Sequence, residues 1–223
     1  MAQTSIFHST LFRKILVAAT GIVMIGFVLV HMIGNLQVFA GAGPTVELTK
    51  INAYGALLKK NLIILWGARI FLLASVFLHV VMTVSLVRRN KKARPVAYAK
   101  RSSYASAASK MMFYGGITLF LYIIYHILHF TTGSVHTSLY VAHDVYGNLV
   151  RSFQKPLISF IYIIAQVALF GHLYHGTVSV FQTLGFSNPK HLRVIKKAGI
   201  GLSLIICLGF ISIPVSILAG WVN

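Results

Sequence analysis

The stretch ISFIYIIAQVALFGHLYHGTVSVF, residues 158–181, decides the fold. It is a continuous apolar run, long enough for a helix to cross a bilayer, and it carries His172 and His175 in its second half. Ionisable side chains inside a membrane helix are costly and usually have a functional role. The stretch therefore predicts a membrane-spanning helix that carries part of a functional site.

Three other apolar segments repeat this arrangement. LVHMIGN contains His31, SVFLHVVM contains His79, and IIYHILHF contains His126 and His129. Imidazole is the most common metal-ligating side chain in proteins. Four apolar segments that each present imidazole well inside the segment therefore indicate a metal centre.

The composition assigns the chain to the polytopic membrane proteins. Its 223 residues are 57% apolar, and the mean hydropathy is +0.80, well above the range of soluble domains. The net charge is +18, with Glu47 and Asp144 as the two acidic residues. Because the basic residues lie between the apolar runs, where membrane proteins carry them, we predict no nucleic-acid partner.

Continuous apolarity without a period of two predicts helices and no barrel. We expect an all-α fold in which residues 1–223 form a single transmembrane domain with five membrane-spanning helices. The spans are predicted at about 14–40, 62–87, 111–132, 156–182 and 197–221. The first four spans carry the histidines and are predicted to form a four-helix core, and the fifth is predicted to be a packing helix.

Basic residues are divided unequally between the two sides of the predicted bundle. Fourteen lie on one side, namely Arg13, Lys14, the eight within 88–110 and the four within 190–197. Five lie on the other side, namely Lys50, Lys59, Lys60, Arg151 and Lys155. Since the more basic side faces the cytoplasm, we expect a cytoplasmic N-terminus in a bacterial cytoplasmic membrane.

The depth of each histidine follows from counting along its helix. His31 and His79 lie about 17 residues into their spans, His126 about 15 and His172 about 16. Because successive helices run in opposite directions, His31 and His126 fall toward the outer leaflet, and His79 and His172 toward the cytoplasmic leaflet. Each level lies about 5–6 Å from the midplane. The topology therefore predicts two histidine pairs, His31–His126 and His79–His172.

A heme that only transfers electrons needs two strong axial ligands, and neutral imidazole supplies them. We therefore predict two b hemes, with His31, His79, His126 and His172 as the iron ligands. No C-x-x-C-H motif occurs and Cys207 is the single cysteine, which excludes covalent c-type heme. Glycines at 21, 26, 34, 115, 116, 171 and 176 could let a flat macrocycle approach the helices.

Three candidate residues have an alternative interpretation. His129 and His175 each lie three residues after a predicted ligand and could be the ligand instead, or bind a propionate or a quinone. Arg69, near the predicted outer start of the second span, could bind a heme propionate. It could equally be an interfacial arginine whose charged end reaches the membrane surface.

In these segments the sequence resembles the diheme cytochrome b subunit of succinate:quinone oxidoreductases and fumarate reductases, in the form with one five-helix anchor polypeptide. The similar segments cover nearly the whole chain. They are RK-x5-TG ahead of LVHMIGN, then LHVVMTV, GITLFLYIIYHILH and GHLYHGTVSVF. Each motif alone is weak, and the order and spacing of the motifs make the resemblance more specific.

The resemblance implies a subunit that anchors a flavoprotein and an iron–sulfur protein on the cytoplasmic side. Electrons would pass between the iron–sulfur clusters and a membrane quinone, usually menaquinone, through the two hemes. The resemblance also implies no dicarboxylate catalysis by this chain alone. Asn35, Gln37 and Arg69 could lie near the quinone by position. Unlike some fumarate-reducing members, the chain has no glutamate within its spans, so the direction of turnover stays open.

Two other interpretations remain. The chain could be the cytochrome b subunit of another respiratory oxidoreductase, of the hydrogenase or formate dehydrogenase type, since these also use histidine pairs on four helices. It could also be a heme-free transporter or structural membrane protein. The absence of acidic residues from the predicted spans argues against a carboxylate proton relay or a cation-coupled transporter.

Overall fold

The computed structural model describes residues 9–41, 49–93, 103–186 and 188–223, without the side chains of 103–111. The α-helices are α1 (Thr10–Asn35), α2 (Lys50–Lys59), α3 (Leu62–Lys92), α4 (Ser103–His126), α5 (Val145–Phe153), α6 (Pro156–Thr183) and α7 (Pro189–Leu218). Short 3-10 helices occupy Leu36–Ala40 and Thr137–Leu139, and a π-helical turn occupies Ile127–Thr131.

Among the residues that the structure describes, five helices are long and apolar enough to cross a membrane, which confirms the predicted all-α, five-span architecture. They comprise Thr10–Ala40, Leu62–Lys92, Met112–Thr131, Pro156–Thr183 and Pro189–Leu218. Side chains that fix helix starts are present at several of them. Ser9 accepts a hydrogen bond from the backbone N–H of Phe12, Asn61 from that of Ile64, and Asn188 from that of Lys190.

Two helices begin well before the predicted spans. α4 begins at Ser103 instead of 111, and α7 begins at Pro189 instead of 197. The basic residues Lys190, Arg193 and Lys196, predicted between spans, therefore lie on the first turns of α7. Lysine and arginine favour helix, so the helix continues past the apolar part that hydropathy detects. Part of the other basic run, residues 94–102, lies outside the described residues.

The long helices form three sides of a four-helix bundle. α3 packs against α1, α1 against α6, and α6 against α4. Within the described ranges, close helix packing is found neither between α1 and α4 nor between α3 and α6. These two pairs of helices therefore face each other diagonally across the interior of the bundle.

The fifth long helix packs on the outside of this bundle. α7 contacts α6 and α1, and its Gly209 lies so close to Met32 of α1 that a Cβ at this glycine would be 2.5 Å from the methionine sulfur. A larger residue at this position would require the Met32 side chain to move. The description of α7 as a packing helix agrees with these contacts.

The two short helices α2 and α5 pack together at one end of the bundle, and we call them the cap. The Asn52 side-chain amide donates to Asp144 Oδ1 at 3.3 Å and accepts from the Tyr146 N–H at 2.9 Å. The Tyr146 hydroxyl donates to the Asn223 carbonyl at 3.1 Å. The C-terminal end of α7 therefore lies at the cap end of the molecule.

Candidate functional site

Histidines from diagonal helices meet at two levels inside the bundle. The ring centres of His31 on α1 and His126 on α4 lie 5.8 Å apart, with the ring planes at 87°. The ring centres of His79 on α3 and His172 on α6 lie 6.3 Å apart, with the planes at 60°. We call the first the cap pair and the second the distal pair.

These separations can be compared with the geometry of one metal ion between two imidazoles. A metal–nitrogen distance of about 2.0 Å on each side would place the two ring centres roughly 6.3 Å apart. The line through the metal and the two nitrogens would lie in both ring planes, so this geometry allows any angle between the planes. The distal pair matches this spacing, and the cap pair is about half an ångström shorter.

The orientation of His79 is set by a threonine on α1. The Thr20 hydroxyl lies 3.0 Å from His79 Nδ1 and 2.7 Å from the Leu16 carbonyl oxygen. The ring also packs beside Gly21, where a Cβ would be 3.7 Å from His79 Cε1. With Nδ1 engaged, Nε2 is the nitrogen left to act as a ligand.

The other member of the distal pair has a buried nitrogen without a partner. His172 Nδ1 has no hydrogen-bond partner among the described residues, and its ring packs beside Gly116, where a Cβ would be 3.8 Å from Cε1. A buried unpaired polar atom is rare in a folded protein. The described side chains therefore leave this nitrogen of the distal pair unsatisfied.

The cap pair is flanked by a tyrosine and an asparagine. The Tyr162 hydroxyl lies 3.5 Å from His126 Nδ1, so His126 Nε2 is available. The Asn35 amide lies 3.3 Å from His31 Nε2 and donates to the His31 carbonyl at 2.8 Å. Ligation of a metal through His31 Nε2 would require Asn35 to give up the longer of these two contacts.

His129 differs from His126 in its surroundings. It is 2% exposed, with Nδ1 at 3.0 Å from the Tyr162 hydroxyl and Nε2 at 3.0 Å from the Ser152 hydroxyl. Both ring nitrogens are therefore engaged, which leaves no free lone pair for a metal. The π-helical turn that starts directly after His126 changes the direction of His129 relative to His126, and such turns are frequent at functional sites.

The remaining histidines are not members of the two pairs. His175 packs against its neighbour Tyr174, with ring centres 4.9 Å apart, and the described residues give it no contact with His79. His136, His143 and His191 are exposed, although His191 lies on α7 and not in a loop. His8 lies outside the described residues.

The Arg69 guanidinium lies over the ring of Trp66, a residue of the same helix. The guanidinium carbon lies 5.0 Å from the ring centre of Trp66, which is 54% exposed. A cation over an exposed tryptophan near a helix start agrees with the interfacial interpretation of this arginine. A role for Arg69 in binding a propionate stays a prediction.

The donor sets restrict the kind of metal centre. Throughout the part of the chain that the structure describes, no group of three or more His, Cys, Asp or Glu side chains could hold a metal ion. Each histidine pair offers two nitrogens, whereas a structural zinc site takes four protein ligands. A macrocycle with four ring nitrogens would supply the missing positions, so the donor chemistry fits heme.

Several residues around the pairs could not be identified from hydropathy or motif spacing. Tyr162 and Ser152 reach His129 from elements 33 and 23 residues away, and only the fold brings them together. Thr20 could have been identified from the sequence, because it lies 11 residues before His31 and therefore on the same face of α1. Of the glycines predicted near the ligands, Gly21 and Gly116 lie beside histidine rings, while Gly34 lies against Tyr54.

No family model matches the chain, and no curated protein and no solved structure matches it.

Proposed function

We propose that this chain is the membrane-anchor and electron-transfer subunit of a succinate:quinone oxidoreductase or fumarate reductase. It would bind two b hemes, one with the cap pair His31 and His126 and one with the distal pair His79 and His172. The observation that carries the proposal is the spacing of the two pairs, with ring centres 5.8 and 6.3 Å apart across the bundle diagonals.

The two levels suit transfer of electrons through the membrane. A low-spin b heme with two imidazole ligands supplies reversible one-electron transfer. The chain's own residues would hold each imidazole in place: Thr20 fixes His79, and the Tyr162 hydroxyl lies beside His126. Neighbouring aromatic rings, such as Phe27 stacked on His31 at 5.3 Å, would keep water away from the ligands.

The proposed partners would bind at opposite ends of the bundle. A flavoprotein and an iron–sulfur subunit would dock on the more basic side, which we assign to the bacterial cytoplasm by the positive-inside rule. A membrane quinone, menaquinone or another, would react on the cap side, where Asn35, Gln37 and Arg69 are candidates. Dicarboxylate chemistry would belong to the flavoprotein, and the chain alone would not oxidise succinate.

The same histidine pairs would serve the cytochrome b subunit of a hydrogenase or formate dehydrogenase. The associated soluble subunits distinguish the two functions, since flavin with succinate oxidation supports the first and nickel or molybdenum supports the second. The complex should therefore be purified from its native membrane through a tag on this chain. Recovery of a nickel or molybdenum subunit would contradict the succinate assignment and leave the heme assignment intact.

The heme assignment is tested by counting heme in the purified chain. We expect about two b hemes per chain in a pyridine hemochrome assay, with low-spin bands in the reduced-minus-oxidised spectrum. Alanine at His31, His79, His126 or His172 should each remove one heme, because the single remaining imidazole of the pair would hold the macrocycle weakly.

His175→Ala is the matched control, because His175 lies one helical turn from His172 and outside the pair. It should keep both hemes. A folded protein without heme would contradict the proposal and leave a five-helix membrane protein with another task. Loss of one heme in His175→Ala, together with retention in His172→Ala, would move the ligand to His175.

A further inference from the structure

We infer that Thr20 is a positioning residue for His79: it favours the imidazole tautomer that carries its proton on Nδ1 and its lone pair on Nε2. The inference rests on the proposed function in that Nε2 would then be the atom that binds iron. It concerns a hydroxyl on α1, a helix that carries no ligand of the distal pair.

The first step is the direction of the Thr20 hydrogen bonds. A hydroxyl has one proton to donate. The Leu16 carbonyl can only accept, and it lies 2.7 Å from Thr20 Oγ1, with the Val17 carbonyl at 3.2 Å. These carbonyls take the hydroxyl proton, as is usual for a threonine that bonds back to the preceding helical turn.

The second step is the proton on the imidazole. Since the Thr20 proton is taken, the 3.0 Å contact to His79 Nδ1 can be a hydrogen bond only if the ring donates and Oγ1 accepts. Neutral imidazole carries one N–H, so Nε2 is then unprotonated and presents its lone pair. Thr20 is 8% exposed, so water does not replace it as the acceptor.

The third step is a comparison within the distal pair. His172 Nδ1 has no partner among the residues described, so nothing equivalent fixes its tautomer. An acceptor on the distant nitrogen of a metal-bound imidazole increases the basicity of the ligand. His79 is therefore the ligand whose orientation and basicity the protein sets in advance. The Val17 backbone of α1 also hydrogen-bonds to this ring, so Thr20 is one of two groups that hold it and the one that a substitution can remove.

The test uses Thr20→Val, which keeps the shape and removes the hydroxyl, and Thr20→Ser, which restores a hydroxyl. The control is Thr177→Val, because Thr177 is an equally buried threonine, 8% exposed, whose hydroxyl has no partner among the described residues. The first measurement is transfer of heme from the purified chain to apomyoglobin. Thr20→Val should release one of the two hemes about tenfold faster, and the serine and control variants should match the parent.

The second measurement is a redox titration of the same proteins. Loss of the acceptor should make His79 a weaker donor to ferric iron, so one of the two midpoint potentials should rise in Thr20→Val and the other should not change. A packing defect alone would not move one potential selectively and be reversed by serine. Equal behaviour of Thr20→Val and Thr177→Val in both measurements would overturn the inference while the two-heme proposal stands.

The third measurement does not depend on heme. In the chain labelled with 15N-histidine and placed in bilayers, subtraction of the His79→Gln spectrum identifies the His79 nitrogens. We expect a protonated Nδ1 and an unprotonated Nε2, and a tautomer mixture in Thr20→Val. A protonated Nε2 in the parent protein would overturn the inference. A heme-free preparation would contradict the proposed function, and the tautomer would still decide the role of Thr20.

Discussion

At the scale of single residues, two histidines three positions apart on the same chain segment have different surroundings. His126 faces His31 across the bundle, while His129 is held between the hydroxyls of Tyr162 and Ser152. A ring with both nitrogens engaged stabilises the fold, and a ring with a free nitrogen can act as a ligand. The separation of the two roles therefore depends on the neighbours of each ring.

We expect His129→Ala to keep both hemes and to destabilise the protein. The substitution leaves the buried Tyr162 and Ser152 hydroxyls without their partner, and an unsatisfied buried group costs about 1–3 kcal/mol. Heme content and unfolding in a denaturing detergent would be measured on the same preparation. His191→Ala, at an exposed position on α7, is the control and should change stability by less than about 0.5 kcal/mol. Loss of heme from His129→Ala with wild-type stability would make His129 the ligand.

The sequence alone could not show which of His126 and His129 is the ligand and which is structural. The HxxH spacing placed His126 and His129 near one helical face, as an α-helix would, and the π-helical turn over Ile127–Thr131 changes that relation. The partners of His129 lie in α6 and α5, so their positions depend on tertiary packing. By contrast, the meeting of His31 with His126 and of His79 with His172 follows from counting residues along alternating helices.

At the scale of elements, the cap depends on one carboxylate. Asp144 caps α5 by accepting from the Gly147 N–H at 2.9 Å, and it also accepts from Asn52 and forms an ion pair with Arg151 at 3.1 Å. Partial burial raises the pKa of Asp144, but these donors outweigh that effect and hold the pKa below its ordinary value. The folded cap therefore prefers the ionised carboxylate.

The stability of the cap should fall in acid. Because the pKa of Asp144 is lower in the folded than in the unfolded protein, its contribution is fully present above the ordinary value of 3.8. It is lost as the pH falls from there through the lower folded pKa. Hydrogen exchange of α5 amides across this range would measure the loss, and a parallel series on Asp144→Asn should lack this component.

Removing the side chain should have a comparable effect at neutral pH. Asp144→Ala should cost about 1 kcal/mol through loss of the helix cap, whereas Lys155→Ala should cost little, because the Lys155 side chain does not cap α6. Equal stability of the two variants would show that the cap is held by other contacts. Neither short helix was predicted, since α2 and α5 are too short and too polar for a search based on apolar runs.

The long helices were predictable because burial in lipid leaves a signal in composition. All five were found from apolar length. Two of the helices extend beyond the predicted spans, to Ser103 and Pro189, where lysines, arginines and small polar residues continue the helix past the apolar segment. Hydropathy reports where a helix meets lipid, and capping residues such as Asn188 decide where the helix begins. Capping residues are local features, so these helix starts could have been predicted from the sequence.

At the scale of the whole molecule, the orientation of the bundle can be tested with single cysteines. In a Cys207→Ala background we expect His143→Cys, near the cap, to react with a membrane-impermeant maleimide on intact cells. His191→Cys, at the opposite end of the bundle, should react only after the membrane is opened. Both residues are exposed in the structure. The reverse labelling would place the fourteen basic residues outside and contradict the predicted cytoplasmic N-terminus.

The diagonal arrangement of the histidine pairs has a consequence for how the protein is made. α1 and α3 leave the ribosome first, and each brings one histidine whose partner lies in α4 or α6, in the second half of the chain. Neither helical hairpin can complete a site by itself. Each proposed heme would thus join an early and a late part of the chain, with the cap site complete one membrane-spanning helix before the distal site. The two halves also pack directly through α1 against α6 and α7, so each proposed heme would add a second link between them.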